Sequence, residues 1–306
     1  MISISNLSKS YDGVKALDGL SLSIERGEFF GLLGPNGAGK STLLNILVGY
    51  LESDAGSVGI AGIDLKAKPI EARRQIGFVP QEIALYGRLT AAENLDFFGS
   101  LYAVSHSERA KRSEELLHAV GLWERRNERV NNFSGGMKRR LNIITSLMHN
   151  PSVLLCDEPT AGVDPQSRNA MFEFLQKMHK DGVTVIYTTH YMEEAERLCS
   201  RVGIIDHGHV IGLGTLDELV RLAPERPSIR ITLSDGLDVD ESLIGELGTM
   251  VVAENILTIT PASAQTRISE ILNKLDAGGI AYNDIRFDRP TLESLFLHLT
   301  GRRLRE

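Results

Sequence analysis

Gly34-Pro35-Asn36-Gly37-Ala38-Gly39-Lys40-Ser41 matches the pattern G-x-x-x-x-G-K-[ST]. Its chemistry is phosphate holding. Phosphate oxygens need many backbone N–H donors at close range, and side chains block that approach. Glycines remove the block and allow tight curvature. A helix opening at Lys40 aims its positive end at the anion. Lys40 then reaches the β- and γ-phosphates, and Ser41 can ligate Mg²⁺. Taken alone, the pattern says only nucleoside triphosphate, because kinases, GTPases and motors share it.

Further polar groups stand where apolar runs end. Val153 to Cys156 lead into Asp157-Glu158. Asp157 can hold Mg²⁺ through water, and Glu158 can polarise a water that attacks the γ-phosphate. Adjacent carboxylates of this kind also occur as a solvated turn. His190 ends VTVIYTTH and Gln81 ends IGFVPQ, both at strand ends, where an α/β sheet displays its ligands. Alone, His190 reads as a hydrogen-bonded structural histidine and Gln81 as an ordinary loop residue. A second phosphate-holding composition lies in NNFSGGMKRR, residues 131–140. Ser134 is a good helix N-cap, and Gly135 and Gly136 expose a helix N-terminus to an anion. Leu141, Ile144 and Met148 give that helix a buried face, and Lys138, Arg139 and Arg140 read as its solvated face.

These residues need strands and helices in alternation to bring them to one place. Residues 2–7 and 17–28 alternate as half-buried strands do, with turns expected at Gly19 and Gly27. Phe29 to Leu33, Val153 to Cys156 and VTVIY are short apolar runs that suit strands buried on both faces. Leu43, Leu44 and Leu47 fall at helical spacing, with Gly49 as a stop. SVGIAGIDL at 57–65 reads as a glycine-rich hairpin. Thr90 with Glu93 forms a capping box, and the chain from there to Asn150-Pro151 is mostly helical. Asp164-Pro165 opens another helix with Met171, Phe174, Leu175 and Met178 on one face. RVGIIDHGHVIGLG is a hairpin. The expected fold is α/β with a mainly parallel core sheet, an antiparallel β subdomain and a helical subdomain over about 87–150. PERP at 224–227 reads as a linker. Beyond it, SIRITLS, VVAENILTIT and GIAYNDIRF read as strands, with a helix at 263–277 and a last helix carrying Leu292, Leu295, Phe296 and Leu299 on one stripe. The expected organisation is a domain over 1–222 and a small α+β domain over 223–306.

The bulk numbers narrow the classes. The chain has 306 residues, 42% hydrophobic and 24% charged, with a net charge of −7. That balance disfavours a nucleic-acid binder driven by basicity. Cys156 and Cys199 match no metal-ligand spacing, and a reducing cytoplasm suits them. No signal-peptide pattern opens the sequence, and no run nears the ~18 apolar residues that span a bilayer. Any membrane role has to come through a partner.

GPNGAGKST, Gln81, FSGGM, LLCDEP, AGVD and His190, in that order, resemble the ATP-binding subunit of ABC transporters over roughly residues 1–220. The resemblance implies a P-loop NTPase that binds ATP and Mg²⁺ and hydrolyses ATP. Carried over by position, Gly34 to Thr42 would form the Walker A loop. Gln81 would be the glutamine that ligates Mg²⁺ and senses the membrane partner. Asp157 would be the Walker B aspartate, Glu158 the catalytic base, Asp164 the D-loop aspartate and His190 the switch histidine. Tyr11 stands where the family places an aromatic that stacks on adenine. Ser134-Gly135-Gly136 resembles the signature LSGGQ, which in that family binds the γ-phosphate of ATP held by a second subunit. A head-to-tail dimer with itself is therefore implied. Phe133 replaces the usual leucine and Met137 the usual glutamine.

FSGGMKRRLNI, LLCDEPTAGVDPQSR and the ending PTLESLFLHLTGR resemble the branch that serves drug, antibiotic and polysaccharide efflux. In that branch the ATPase pairs with a separate membrane-spanning subunit, which places it at the cytoplasmic face of the membrane, with no nucleic-acid partner. The alternative is a soluble ATPase of this type acting on ribosomes or DNA. One cassette and the absence of sustained heptads between Gly34 and His190 count against it. A phosphate-loop kinase leaves FSGGM and His190 unexplained.

Overall fold

The computed structural model describes residues 1–223, 226–234, 243–263, 266–288 and 290–301. They divide between Asp217 and Glu218 into two compact units. The first unit runs β1 (Ile2–Tyr11), β2 (Val14–Ile24), β3 (Phe29–Leu33), α1 (Lys40–Leu47), β4 (Ala55–Ile60), β5 (Ile63–Asp64), α2 (Pro69–Arg73) and β6 (Ile76–Val79). It continues with α3 (Ala91–Leu101), α4 (His106–Ala119), α5 (Gly135–Thr145), β7 (Val153–Asp157), α6 (Pro165–Lys180), β8 (Thr184–Thr189), α7 (Met192–Leu198), β9 (Arg201–Asp206) and β10 (His209–Gly214).

The core sheet has the order β10-β9-β3-β8-β7-β6. β6, β7, β8, β3 and β9 are parallel, and β10 closes one edge antiparallel to β9. Every residue of β3, β7 and β8 is buried, which is why those runs are apolar without alternation. The parallel strands end on one edge. There β3 leads to Gly34, β6 to Gln81, β7 to Glu158 and β8 to His190.

A second sheet, β2-β1-β4-β5, is antiparallel. Its β1–β2 hairpin turns at Asp12 and Gly13, whose φ angles of 47° and 84° suit a tight two-residue turn. Gly19 makes no chain reversal. It lies within β2 at φ 64°, where the β1–β2 register shifts, so it serves a β-bulge rather than the expected turn. Leu7, Leu17, Leu22, Leu32, Leu43, Leu44, Leu47, Leu155 and Ile186 form one buried cluster that ties this sheet and α1 to the core sheet. A fully buried leucine contributes about 1.5–3 kcal/mol.

Residues 87–150 are mainly helical, and α3 begins with the full Thr90–Glu93 capping box. α5 stops earlier than expected, at Thr145. A turn carries the chain to Asn150, whose φ of 55° ends any helical path before Pro151.

The second unit holds β11 (Ser228–Leu233), β12 (Gly248–Ala253), β13 (Ile256–Pro261), α9 (Ile268–Ala277), β14 (Tyr282–Asp288) and α10 (Leu292–Thr300), while α8 (Leu216–Val220) crosses the border between units. Its sheet order is β12-β13-β11-β14. VVAENILTIT is two antiparallel strands rather than one, folded back where Glu254 takes φ 56°. Leu292, Leu295 and Phe296 are buried, but Leu299 is 42% exposed and leaves the expected stripe. Pro224 and Glu225 of the expected linker lie outside the described residues. Among the described residues, no helix is long and apolar enough to cross a membrane.

Candidate active site

A cleft of about 640 Å³ opens over the strand-end edge of the core sheet. Pro35, Asn36, Gly37, Gly39, Lys40, Ser41, Thr42, Gln81, Glu158, His190 and Tyr11 line it. Tyr11 and His190, 179 positions apart in sequence, thus line one cleft, because each follows or ends a strand that reaches this edge. Tyr11 projects from the end of β1 and is 42% exposed.

The loop from Gly34 to Gly39 is shaped by its glycines and their close neighbours. Gly37 takes φ 81° and Gly39 φ 107°. A Cβ on Gly39 would overlap the Ala16 carbonyl, and one on Gly34 would overlap the Ile205 carbonyl. Gly34 and Ala38 lie beneath the lining. Ala38 is buried, and its carbonyl accepts the Gly208 N–H. Lys40 is 6% exposed and donates to the carbonyls of Gly34 at 2.6 Å and Pro35 at 3.1 Å. Burial pushes its ammonium below the usual lysine range, and the nearby Glu158 and Asp157 pull it back up.

Asp157 is buried at the end of β7. Burial raises its carboxyl above the usual range, against the hydrogen bond from Thr188. Thr188 donates to Asp157 Oδ1 at 2.7 Å and accepts the Glu158 N–H at 2.9 Å. Glu158 takes φ 43°, a left-handed backbone uncommon for a side-chain-bearing residue. Its Oε2 stands 3.1 Å from His190 Nδ1. A carboxylate only accepts, so Nδ1 carries the hydrogen in this contact. Thr188, Ala16 and Ala161 were missed in the sequence. The latter two line the cleft, and Thr188 sits in an apolar strand with no spacing that marks it.

Ser134, Gly135 and Gly136 do not line this cleft. Ser134 caps α5, accepting the Met137 N–H at 3.3 Å. The two glycines differ. Gly135 has open space around it, whereas a Cβ on Gly136 would overlap Ser167 Oγ. Gly136 therefore serves packing against α6, and Gly135 keeps the helix end open. The expectation of a solvated basic face on α5 is overturned. Arg139 is 5% exposed and donates to the Pro80 carbonyl at 3.0 Å, and Arg140 donates to the Val120 carbonyl at 2.6 Å. Each guanidinium satisfies a loop carbonyl that has no strand partner. Asn142, also on α5, accepts the Ala84 N–H at 3.1 Å, so the helix holds the Gln81 loop at two points.

The donors fit Mg²⁺. Ser41, Gln81 and Asp157 offer only oxygen, the ligand type of a hard cation. Asp157 is an acid held away from water, and burial raises its carboxyl by more than the Ser41 hydroxyl lowers it.

The model of the ABC transporter family matches residues 17–161. Over the full length of both chains, the protein is 41% identical to the linearmycin resistance ATP-binding protein LnrL of Bacillus subtilis. It is 37% identical to the doxorubicin resistance ATP-binding protein DrrA of Mycobacterium tuberculosis, covering 97% of this chain and 92% of the relative. It is also 37% identical to the Nod factor export ATP-binding protein I of Ralstonia nicotianae, covering 100% and 95%. Among solved structures, an ATP-binding subunit of an ABC transporter superposes with a TM-score of 0.67 at 32% identity, covering 72% of this chain and 92% of that one. The dimeric ATP-binding cassette MJ0796, in a post-hydrolysis state with ADP and Pi, gives 0.64 at 32% identity, covering 70% and 98%. These relatives favour a transport motor over a ribosome- or DNA-acting ATPase. The chain belongs to the ABC transporter family, as an ATP-binding, ATP-hydrolysing subunit of the export-type branch.

Proposed function

We propose that this chain works from the cytoplasmic face of a membrane as the motor of an exporter, paired with a separate membrane-spanning subunit and closing on ATP as a head-to-tail dimer with itself. The observation that carries the reading is the split between two phosphate-suited places. One is the cleft that gathers Lys40, Gln81, Glu158 and His190. The other is the open, Ser134-capped N-terminus of α5, outside that lining. A chain with a half-site in each place can complete both only against a second copy. The dimeric state of the MJ0796 cassette supports this.

In the cleft, Lys40 and the backbone of the Gly34–Gly39 loop hold the β- and γ-phosphates, and Tyr11 offers a face to adenine. Ser41, Gln81 and Asp157 would hold Mg²⁺, which supplies charge neutralisation at the phosphates. Glu158 takes the proton of the attacking water, and His190, bonded to Glu158 through Nδ1, meets the γ-phosphate. Ser134 and Gly135 of the second copy bind that same phosphate, so its loss reopens the dimer. The loop after Gln81, with Ile83 and Tyr86 exposed and its backbone tied to α5, is the surface for the membrane subunit. The transported molecule touches none of these residues.

The test is Glu158→Gln in the full chain. With ATP and Mg²⁺ its mass by light scattering is expected to double, while turnover falls by about 10²-fold or more. A monomer mass at saturating ATP would sink the two-copy reading. A double variant with Gly135→Asp is expected to stay monomeric.

A further inference from the structure

Glu158 and His190 follow different strands, and one buried side chain touches both loops. Glu194, on α7, is 3% exposed. Thr160 donates to its Oε1 at 2.8 Å, and Tyr187 and Thr189 donate to its Oε2 at 2.9 Å and 2.8 Å. Thr160 lies two residues past Glu158, and Thr189 immediately precedes His190. The Thr189 hydroxyl also accepts the Tyr191 N–H at 3.0 Å. Its own hydrogen is thereby directed at Glu194, and the backbone is fixed on both sides of His190. Arg168 of α6 approaches Glu194 Oε1 at 3.7 Å, and its guanidinium stands 5.7 Å from the centre of the Tyr191 ring.

A buried carboxyl is expensive unless its oxygens are bonded. Here three hydroxyl donors converge on an acceptor-only group, so the set is satisfied. An apolar residue would fill the same volume without this network, so packing alone does not call for glutamate. What the network adds is direction, because buried hydrogen bonds hold their members at fixed angles.

The geometry points to Glu194 as a positioning residue for hydrolysis: it fastens the loop that carries Glu158 to the loop that carries His190 and so holds the 3.1 Å contact between them. This rests on the roles given to Glu158 and His190 above. Glu194 touches no substrate. It sets where the base and its partner stand when ATP is bound.

The test is a cycle of Glu194→Gln, His190→Ala and the double variant, each as the full chain. Glutamine keeps the size but turns one acceptor into a donor facing hydroxyl donors. In Glu194→Gln, kcat is expected to fall about 10- to 100-fold, with the Kd for a fluorescent ATP analogue within about twofold. In the His190→Ala background the same substitution is expected to cost less than about threefold, because the contact it serves is already gone. Losses that multiply, or an unchanged kcat in Glu194→Gln, would overturn the proposal. Should Glu194→Gln fail to fold, Thr189→Val removes one donor at similar shape and carries the same expectations. Wild-type turnover in His190→Ala would sink the reading of the site and this proposal with it. A slow His190→Ala with multiplying losses would sink this proposal alone.

Discussion

Single glycines of the Gly34–Gly39 loop and of the α5 N-terminus are chosen for different physical reasons, and substitution separates them. Gly39 combines a φ of 107° with contact against the Ala16 carbonyl, so alanine there is strained twice. Gly136 faces Ser167 Oγ, while Gly135 has open space. Gly136→Ala is expected to cost about 1–3 kcal/mol of stability, as overpacking does. Gly135→Ala is expected to leave the thermal midpoint within about 1 °C, since nothing opposes the methyl and alanine favours helix. On the proposed two-copy reading its effect belongs to turnover instead, because the methyl would stand where the second copy's nucleotide docks. Equal destabilisation by the two changes, seen in thermal melts, would show that this division of roles is wrong.

At the scale of elements, α5 is a brace. Arg139 and Asn142 hold the loop around Gln81, and Arg140 holds the end of α4. Just past α5, His149 bonds the Ile76 carbonyl of β6 at 2.9 Å and stacks on Tyr102 with ring centres 3.6 Å apart. Burial lowers its imidazole from 6.5 to about 4. Between those values the unfolded chain binds the proton and the folded chain does not. Stability is therefore complete above pH 6.5 and is lost as pH falls toward about 4. Discounted for partial exposure, the loss is roughly 1–3 kcal/mol. Melts across this window are expected to show a midpoint falling by roughly 2–6 °C more in the wild type than in His149→Gln. Parallel curves would remove His149 from the acid limb.

At the scale of the molecule, the two units hold separate cores. One is built on Leu17, Leu32, Leu43 and Ile186, the other on Ile231, Leu257, Ile259 and Ile271. Each unit buries its own apolar surface, which is the condition for separate cooperative transitions. Calorimetry is expected to resolve two. ATP with Mg²⁺ should raise the one that belongs to the first unit, and Ile231→Ala, at a fully buried position, should lower only the other. A single transition shifted by both would show that the units unfold as one. The ABC transporter family model matches residues 17–161, within the first unit, while the full-length likeness to LnrL extends through the second.

The sequence by itself determined the features that a few consecutive residues can dictate. Glycines between a buried strand and Lys40 specify a phosphate loop, because backbone curvature and close approach are local demands. Fully apolar runs specify strands covered on both faces, and Thr90 with Glu93 specifies a helix start. The family's order of motifs then named the chemistry. The tertiary structure alone decided what depends on pairing across the chain. Thr188 reaches Asp157 across 31 positions, Glu194 reaches Thr160 across 34, and Arg139 reaches Pro80 across 59. A threonine in an apolar strand, a glutamate in a charged helix and an arginine among basic neighbours carry no local signal. Their burial follows from which face the packed elements cover, so the solvated face expected for Lys138 to Arg140 gave way to two guanidinium groups bound to loop carbonyls. The bulge at Gly19 and the hairpin at Glu254 each shift the buried face by one residue, from Leu17 to Leu20 and from Met250 to Leu257, and only the partner strand's register shows which break is a bulge and which a turn.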